Sequence, residues 1–292
     1  MKRLMSSFRG KNIYFKIGVG ILVFLALVVL VSFFYTPYDP TAMDSSAKFS
    51  APCLAHPFGT DNFGRDILSR VMTGLQDTFL IAFFVVLIGA VVGTVIGSIT
   101  GYYGGIVDEV LMRINDMLTA FPSVLLALVF VSLWGSGKYK IIAALGIAFI
   151  PSFARMVRGE VIKLRDADFV DSARLMGVSD ARIIFVHIFP NILPTLLSAI
   201  AVGFNNAVLA ESGLSYLGIG VTPPNASLGS MLADAQGYLL NAPWYALAPG
   251  ITIIVLILGF SFVSEKCNAS VGGFTCTCPF CEAKTLNGKC SR

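Results

Sequence analysis

"DFVDSARLMGVSDARIIFVHIFPN" (residues 168–191) is a short, polar, glycine-broken stretch in an otherwise apolar chain. Its punctuation is helical. Asp168 is an N-cap residue type, and Asp171 three positions on can complete a variant capping box. Gly177 suits the left-handed C′ position that ends a helix. Ser179 can cap a second helix with Asp180 near its positive end, and Pro190 marks a further boundary. The spacing predicts a helix from about Phe169 to Met176, about 12 Å long at 1.5 Å rise per residue. On it Phe169, Ala173 and Met176 share a face by 3/4 spacing. Ser172 and Ala173 are small enough for another surface to come close, and Arg165, Asp166, Asp171 and Arg174 supply charge around the segment. Two readings fit: a solvated loop helix, or a knob that docks into a groove on a partner.

The surroundings of this stretch set the class of protein. Hydrophobic residues are 55% of the 292 and charged residues 13%, against about 25% charged in a soluble domain. So little charge cannot cover a water-facing surface, and the chain reads as an integral membrane protein. Charge-free runs lie at 17–38, 78–107, 117–137, 141–154, 183–210 and 235–264. A bilayer crossing needs about 20 mostly apolar residues. The run 141–154 is short, but Lys140 and Arg155 can snorkel outward and extend it, and Pro151 would kink that helix rather than abolish it. The expectation is an all-α polytopic protein with six transmembrane helices; the runs are continuous, not alternating as in a barrel.

Lys and Arg set the orientation. The first sixteen residues hold Lys2, Arg3, Arg9, Lys11 and Lys16 with no acid, which keeps that end in the cytoplasm. Six spans then put both termini in the cytoplasm, residues 39–77 outside, and residues 155–182, with six Lys or Arg, inside. The first apolar run is too long for a cleavable signal peptide, and no A-x-A site follows closely. The quoted stretch thus lies on the cytoplasmic side, between the fourth and fifth helices.

There, D-S-A-x3-G followed by His187-Ile188-Phe189-Pro190 resembles the E-A-A-x3-G … L-P loop of bacterial ABC importer permeases. Asp171, Ser172, Ala173 and Gly177 hold the motif positions. Asp replaces Glu, Ser replaces the first Ala, and Phe189 replaces Leu, which keeps charge, smallness and apolarity. "FGTDNFGRDILSRVMTGLQDTFLIA" (58–82), "GYYGGIVDEVLMRINDMLTAFPSVLLALV" (101–129) and "LSYLGIGVTPPNASLGSMLADAQGYLLNAPWYALAPG" (214–250) are similar to the oligopeptide/dipeptide/nickel branch. They resemble most the second of its two paired permeases, over residues 10–265.

The resemblance implies a type I ABC importer permease fold over residues 1–265, with an N-terminal helix 17–38, a periplasmic segment 39–77 and core helices 78–265, in the bacterial inner membrane. It implies the permease subunit of an ATP-driven, binding-protein-dependent importer of di- or oligopeptides or a related small solute. Its partners would be a second homologous permease subunit, two cytoplasmic ATP-binding subunits and an extracytoplasmic solute-binding protein, in membrane lipid and without nucleic acid. Asp168, Phe169, Asp171, Ser172, Ala173, Met176 and Gly177 would form the coupling helix seated in a cleft of the ATPase. The subunit would carry no catalytic residue and no cofactor, ATP being bound by its partners. The chain has no G-x4-G-K-[ST] phosphate loop, in keeping with that division of labour. Nickel and glutathione importers of the same branch remain alternatives. A stand-alone secondary transporter would need ion-coupling residues at mid-bilayer, and an intramembrane enzyme would need paired catalytic groups; the charge-free runs offer few of the first and none of the second.

Other residues carry smaller expectations. Glu211 follows a charge-free run near the outer end of the fifth helix and is a candidate for the transport pathway, since an embedded carboxylate is costly. Arg113 and Asp116, three apart, can pair. The segment 214–250, with Pro223-Pro224, either covers the pore at the outer face, re-enters it, or only connects two helices. His56 and His187 fall on opposite sides of the membrane, so no triad or metal cage forms from them.

Composition changes after Glu265. Residues 266–292 hold Cys267, Cys276, Cys278, Cys281 and Cys290 and depart from the family's short charged ending. One reading is an inert end or an altered reading frame. The other is a zinc site on Cys276, Cys278, Cys281 and Cys290, since thiolates at C-x-C-x2-C spacing suit zinc; a disulfide knot is disfavoured in a reducing compartment.

Overall fold

The computed structural model describes residues 13–272, and their side chains through residue 264. The helices are α1 (Ile13–Ser32), α2 (Ile67–Tyr103), α3 (Gly105–Thr119), α4 (Ser123–Trp134), α5 (Lys138–Arg165), α6 (Asp168–Leu175), α7 (Asp180–Tyr216), α8 (Leu228–Ala235) and α9 (Pro243–Gly272). Among the described residues there is no β-strand, only a bridge between Thr60 and Asp66.

Local chemistry moves several helix ends away from the ends of the charge-free runs. α1 stops at Ser32 although its run continues to 38; Pro37 and Pro40 push their predecessors out of the α region. α2 starts at Ile67, well inside the expected external segment 39–77, because Asp66 caps it by accepting the Ser69 N–H at 2.8 Å. Arg70 and Asp77 interrupt the apolar run but not the helix, since both charges are compensated. The Arg70 guanidinium lies 3.6 Å from Asp61 and from Asp234, and Asp77 pairs with Lys138 at 2.5 Å.

The run 117–137, expected as one helix, holds only the end of α3 and all of α4. α3 and α4 meet at 82°, because Pro122 lacks a donor and disfavours helix at Phe121. α4, at 12 residues, is about 18 Å long and cannot alone cross a hydrocarbon core of about 30 Å. Among the described residues, five helices are long and apolar enough to cross a membrane, and the bent pair makes a sixth crossing if counted as one.

Contacts along the chain favour counting it as one. α2 runs 37 residues, about 55 Å. Lys138 at the start of α5 pairs with Asp77 in the first third of α2, and Arg165 at its end donates to the Gly101 carbonyl at 3.3 Å. α5 therefore runs parallel to α2, and the chain between them must return along the bundle. α7 starts where α2 ends, with the Tyr102 hydroxyl donating to Asp180 at 2.7 Å, and reaches Thr78 near the other end through Glu211. α1 ends beside Gln76, to which Ser32 donates at 3.2 Å, and its Gly18 packs against Phe262 late in α9. The start of α1, the end of α9 and α6 thus share one end of the bundle. Residues 39–66 and α8 occupy the other.

The tightest packing is between α2 and α5. Gly89, Gly93, Gly97 and Gly101 recur every four residues, one stripe on a helix, and all four press on α5. A Cβ on Gly97 would fall 2.9 Å from the Arg158 nitrogen and closer still to the Ala154 carbonyl oxygen. Backbone meets backbone here, so the two helices form one unit.

α3 is tied to α5 by polar contacts. Arg158 donates two hydrogen bonds to Asp108 at 2.5 and 2.6 Å, Asn115 donates to the Pro151 carbonyl at 3.2 Å, and Arg155 donates to Asp116 at 2.9 Å. The expected Arg113–Asp116 pair therefore does not form. Asp116 faces α5, and Arg113 pairs within its own helix with Glu109 at 3.8 Å. Pro151 sits inside α5 without ending it, as expected. Pro190 does not end a helix either. A π-helical stretch, Ile183–Ile188, precedes it, with Phe189 N–H reaching back to Ile184. The widened turn accommodates a residue that cannot donate.

Candidate functional site

α6 is built from local rules, with some differences from the sequence expectation. Ala167 holds the N-cap position and makes no side-chain cap, so Asp168 is the first helical residue rather than the cap. Asp168 and Asp171 both fall in the first turn, where carboxylates complement the helix dipole. Ser172 turns its hydroxyl back to the Asp168 carbonyl at 2.8 Å, and Asp171 pairs with Arg174 at 3.3 Å on the surface. Gly177 has φ +75°, a value costly for any residue with a Cβ. Its N–H bonds the Arg174 carbonyl and Val178 N–H bonds the Ala173 carbonyl, the two closing bonds of a Schellman ending. Ser179 does stand at the next N-cap, without a side-chain bond.

The faces of α6 differ from the expectation too. Val170 and Ala173 are buried, against the π-helical start of α7 on which α6 packs. Ala173 therefore does not share an outward face with Phe169 and Met176. The outward surface is Phe169, Ser172, Leu175 and Met176, with Leu175 89% and Met176 75% exposed. Large apolar side chains thus stand open on a short, charge-rimmed helix.

At the middle of the bundle α4, α5 and α7 line a half-open cavity of about 710 Å³. Ser123, Ser152, Thr195, Ser198 and Asn206 give it hydroxyl and amide groups among apolar ones, and none of the described lining residues is ionisable. The Ser198 hydroxyl is buried without a hydrogen-bond partner. Such a wall offers weak, neutral hydrogen bonding.

Glu211, the expected pathway carboxylate, is not on that wall. It is fully buried. It accepts from Ser215 at 2.7 Å and from Thr78 of α2 at 3.0 Å, while Thr78 also receives the Leu228 N–H at 3.4 Å. Three hydroxyl-bearing elements converge on it, so Glu211 ties α7, α2 and the start of α8 together. α8 opens with a Ser227–Ser230 capping box and rests Gly229 on the Ser212 backbone. The segment 214–250 is thus packed and partly helical, at the end of the bundle opposite α6. His56 belongs to the same end, with Nδ1 2.9 Å from Asp66.

No metal-holding group of three or more His, Cys, Asp or Glu occurs among the described residues. Cys276, Cys278, Cys281 and Cys290 lie outside them.

A multi-pass helical bundle with a neutral cavity between its helices and an apolar knob at one end has the architecture of the membrane subunit of a transporter. Residues 93–270 match the family described as "Binding-protein-dependent transport system inner membrane component", and the chain belongs to that family. A protein of Brucella suis, named provisionally as a peptide transport system permease, is 41% identical over 86% of this chain and 84% of its own. The dipeptide transport permease DppC of Alkalihalophilus pseudofirmus is 35% identical over 87% of this chain and 84% of its own. The glutathione transport permease GsiD of Salmonella typhimurium is 39% identical over 88% and 85%. The fold is similar to that of the inward-facing methionine ABC transporter MetNI, with TM-score 0.54 at 21% identity over 70% of this chain and 96% of that one.

The protein is therefore a multi-pass inner-membrane permease subunit of a binding-protein-dependent ABC importer. It is not itself an enzyme, and ATP hydrolysis belongs to partner ATPases. Two of its structural features were missed in the sequence reading. The glycine stripe of "GAVVGTVIGSITG" (89–101) is legible by its four-residue period. Tyr102, which bonds Asp180 and lies under the Arg174 guanidinium 5.3 Å from its ring centre, gives no signal in sequence, because its partners are 72 and 78 residues away.

Proposed function

We propose that this subunit imports di- or oligopeptides and takes its drive through α6. The observation that carries the reading is the Schellman-ended helix 168–175, which presents Phe169, Leu175 and Met176 outward at one end of the bundle. Asp168, Phe169, Asp171, Ser172 and Met176 form its docking surface, Ala173 anchors it inward, and Gly177 fixes where it ends. It seats in a cleft of an ATPase subunit. Two such subunits, a second homologous permease and an extracytoplasmic solute-binding protein complete the transporter. The basic first sixteen residues support placing both termini and α6 in the cytoplasm. The permease domain runs to about residue 265, and the cysteine-rich residues beyond it are not needed for transport.

The cavity supports peptide rather than nickel as cargo. Its described lining residues include no carboxylate, imidazole or thiol, the groups that hold nickel. Its hydroxyls and amide match peptide N–H and C=O groups and hold them loosely, which suits passage. The relatives' peptide and dipeptide names point the same way; the glutathione name of another keeps a γ-linked tripeptide within the same chemistry. The test is uptake by proteoliposomes containing the assembled transporter and its binding protein. Labelled dipeptide should accumulate with ATP inside, and Ni²⁺ should not. ATP-dependent Ni²⁺ uptake without peptide uptake would overturn the reading.

A further inference from the structure

We infer that Tyr102 is a positioning residue for energy coupling: its phenol joins α6 to the α2–α5 unit, so that displacement of α6 moves both walls of the cavity together. The inference rests on the docking reading of α6.

The geometry is a three-way junction. Tyr102 is buried in the last turn of α2. Its hydroxyl donates to Asp180, in the first turn of α7, at 2.7 Å, while the guanidinium of Arg174, in the last turn of α6, lies 5.3 Å over its ring. One side chain thus contacts three elements, with a charge-assisted hydrogen bond on one side and a cation–π contact on the other.

The junction matters because of what each element reaches. α7 carries one wall of the cavity, including Thr195, Ser198 and Asn206, and follows α6 in the chain with the short 176–179 link between them. The other wall, including Phe149, Ser152 and Phe153, is on α5. α5 is locked to α2 through Gly93, Gly97 and Gly101. A pull on α6 reaches α5 through the two-residue link 166–167 and α7 through the 176–179 link, Val170 and Ala173; Tyr102 braces α6 and the start of α7 against the end of α2, so that these links cannot act as free hinges. Without the phenol, α6 would swing on its two backbone links, and the α7 and α2–α5 walls would no longer move as one.

The variants Tyr102→Phe and Asp180→Asn each weaken the hydroxyl–carboxylate bond and leave the ring under Arg174. Tyr103→Phe, at the neighbouring exposed position, is the control. Each is assembled with its ATPase and permease partners in proteoliposomes, and peptide transported per ATP hydrolysed is measured beside thermal stability and ATPase co-purification. A hydrogen bond to a charged acceptor is worth about tenfold or more in an equilibrium constant, so transport per ATP should fall about 10-fold in each variant. The double variant should be no worse than either alone, and Tyr103→Phe should match wild type. Co-purification should be normal throughout. A purely structural role would lower stability and leave transport per ATP unchanged, and that result overturns the inference. If Tyr102→Phe does not insert, Asp180→Asn tests the same bond from an exposed position. Gly177→Val, run in parallel, separates the two readings. If it is uncoupled while Tyr102→Phe and Asp180→Asn are wild type, only the present inference fails. A wild-type ratio in Gly177→Val removes the docking reading and this inference with it.

Discussion

Replacing Gly97 by alanine adds one methyl group to the α2–α5 seam, and the structure gives it no room. The new Cβ would sit 2.9 Å from the Arg158 nitrogen and from Val157 Cβ, and nearer still to the Ala154 carbonyl oxygen. Two of these neighbours are backbone, so no rotamer change relieves the contact, and the helices must part. Parting them loosens the packing at Gly93 and Gly101 as well, because both press on the same face of α5. Overpacking costs about 1–3 kcal/mol, and backbone neighbours put this site at the upper end. Alanine returns up to about 1 kcal/mol through helix propensity. The net loss is about 2 kcal/mol, about 30-fold in the folded ratio. Gly159 on α5 is the matched control, since an added Cβ there meets nothing within 4 Å and should be neutral or stabilising by up to about 1 kcal/mol. The assay is thermal unfolding of the detergent-purified transporter, with membrane abundance alongside. Gly97→Ala should lower both, and Gly159→Ala should lower neither. Equal stability of Gly97→Ala and wild type would mean that the seam is not close-packed and that α2 and α5 are not one unit.

Glu211→Ala should destabilise by about 1–3 kcal/mol, because buried hydroxyls at Thr78 and Ser215 lose their acceptor, whereas Glu211→Gln keeps a carbonyl for one of them and should cost less; equal melting of the two variants would refute the tie. Asp108→Ala and Arg158→Ala should each lower membrane abundance, and the double variant should lose less than the sum, since each single change strands the other charge. In a background with native cysteines replaced, an impermeant thiol reagent should label Ser45→Cys but not Ser179→Cys in intact spheroplasts; the reverse pattern would invert the topology.

Spanning segments were legible because lipid excludes unpaired charge, so charge-free runs mark them. Their ends were not. Arg70 and Asp77 stop a run but not a helix, as their partners Asp61, Asp234 and Lys138 lie elsewhere in the chain. The break at Pro122 follows from a rule visible in the sequence, yet a hydropathy window passes over it. Gly177 was legible because a left-handed ending nearly demands glycine. The outward face of α6 was not, since which side of a short helix is buried depends on where α7 lies. Glu211 stands out in sequence as a charge after an apolar run, but its burial depends on Thr78, 133 residues away. Local conformation was written locally; contacts between helices were legible only where they repeat, as in the glycine stripe.

The central claim is that α6 couples this subunit to its ATPases, and ATP hydrolysis by the reconstituted transporter tests it most directly. Gly177→Val forces a β-branched residue into φ +75° and must strain the turn or reorient the helix. Asp171→Lys reverses charge at the helix start and on the docking rim, worth about 1–3 kcal/mol, or about 5- to 150-fold in association. Both variants should insert normally, co-purify poorly with the ATPase and lose stimulation of hydrolysis by loaded binding protein, while Asp171→Glu should stay close to wild type. Wild-type stimulation in both Gly177→Val and Asp171→Lys would show that residues 168–177 are not the coupling element.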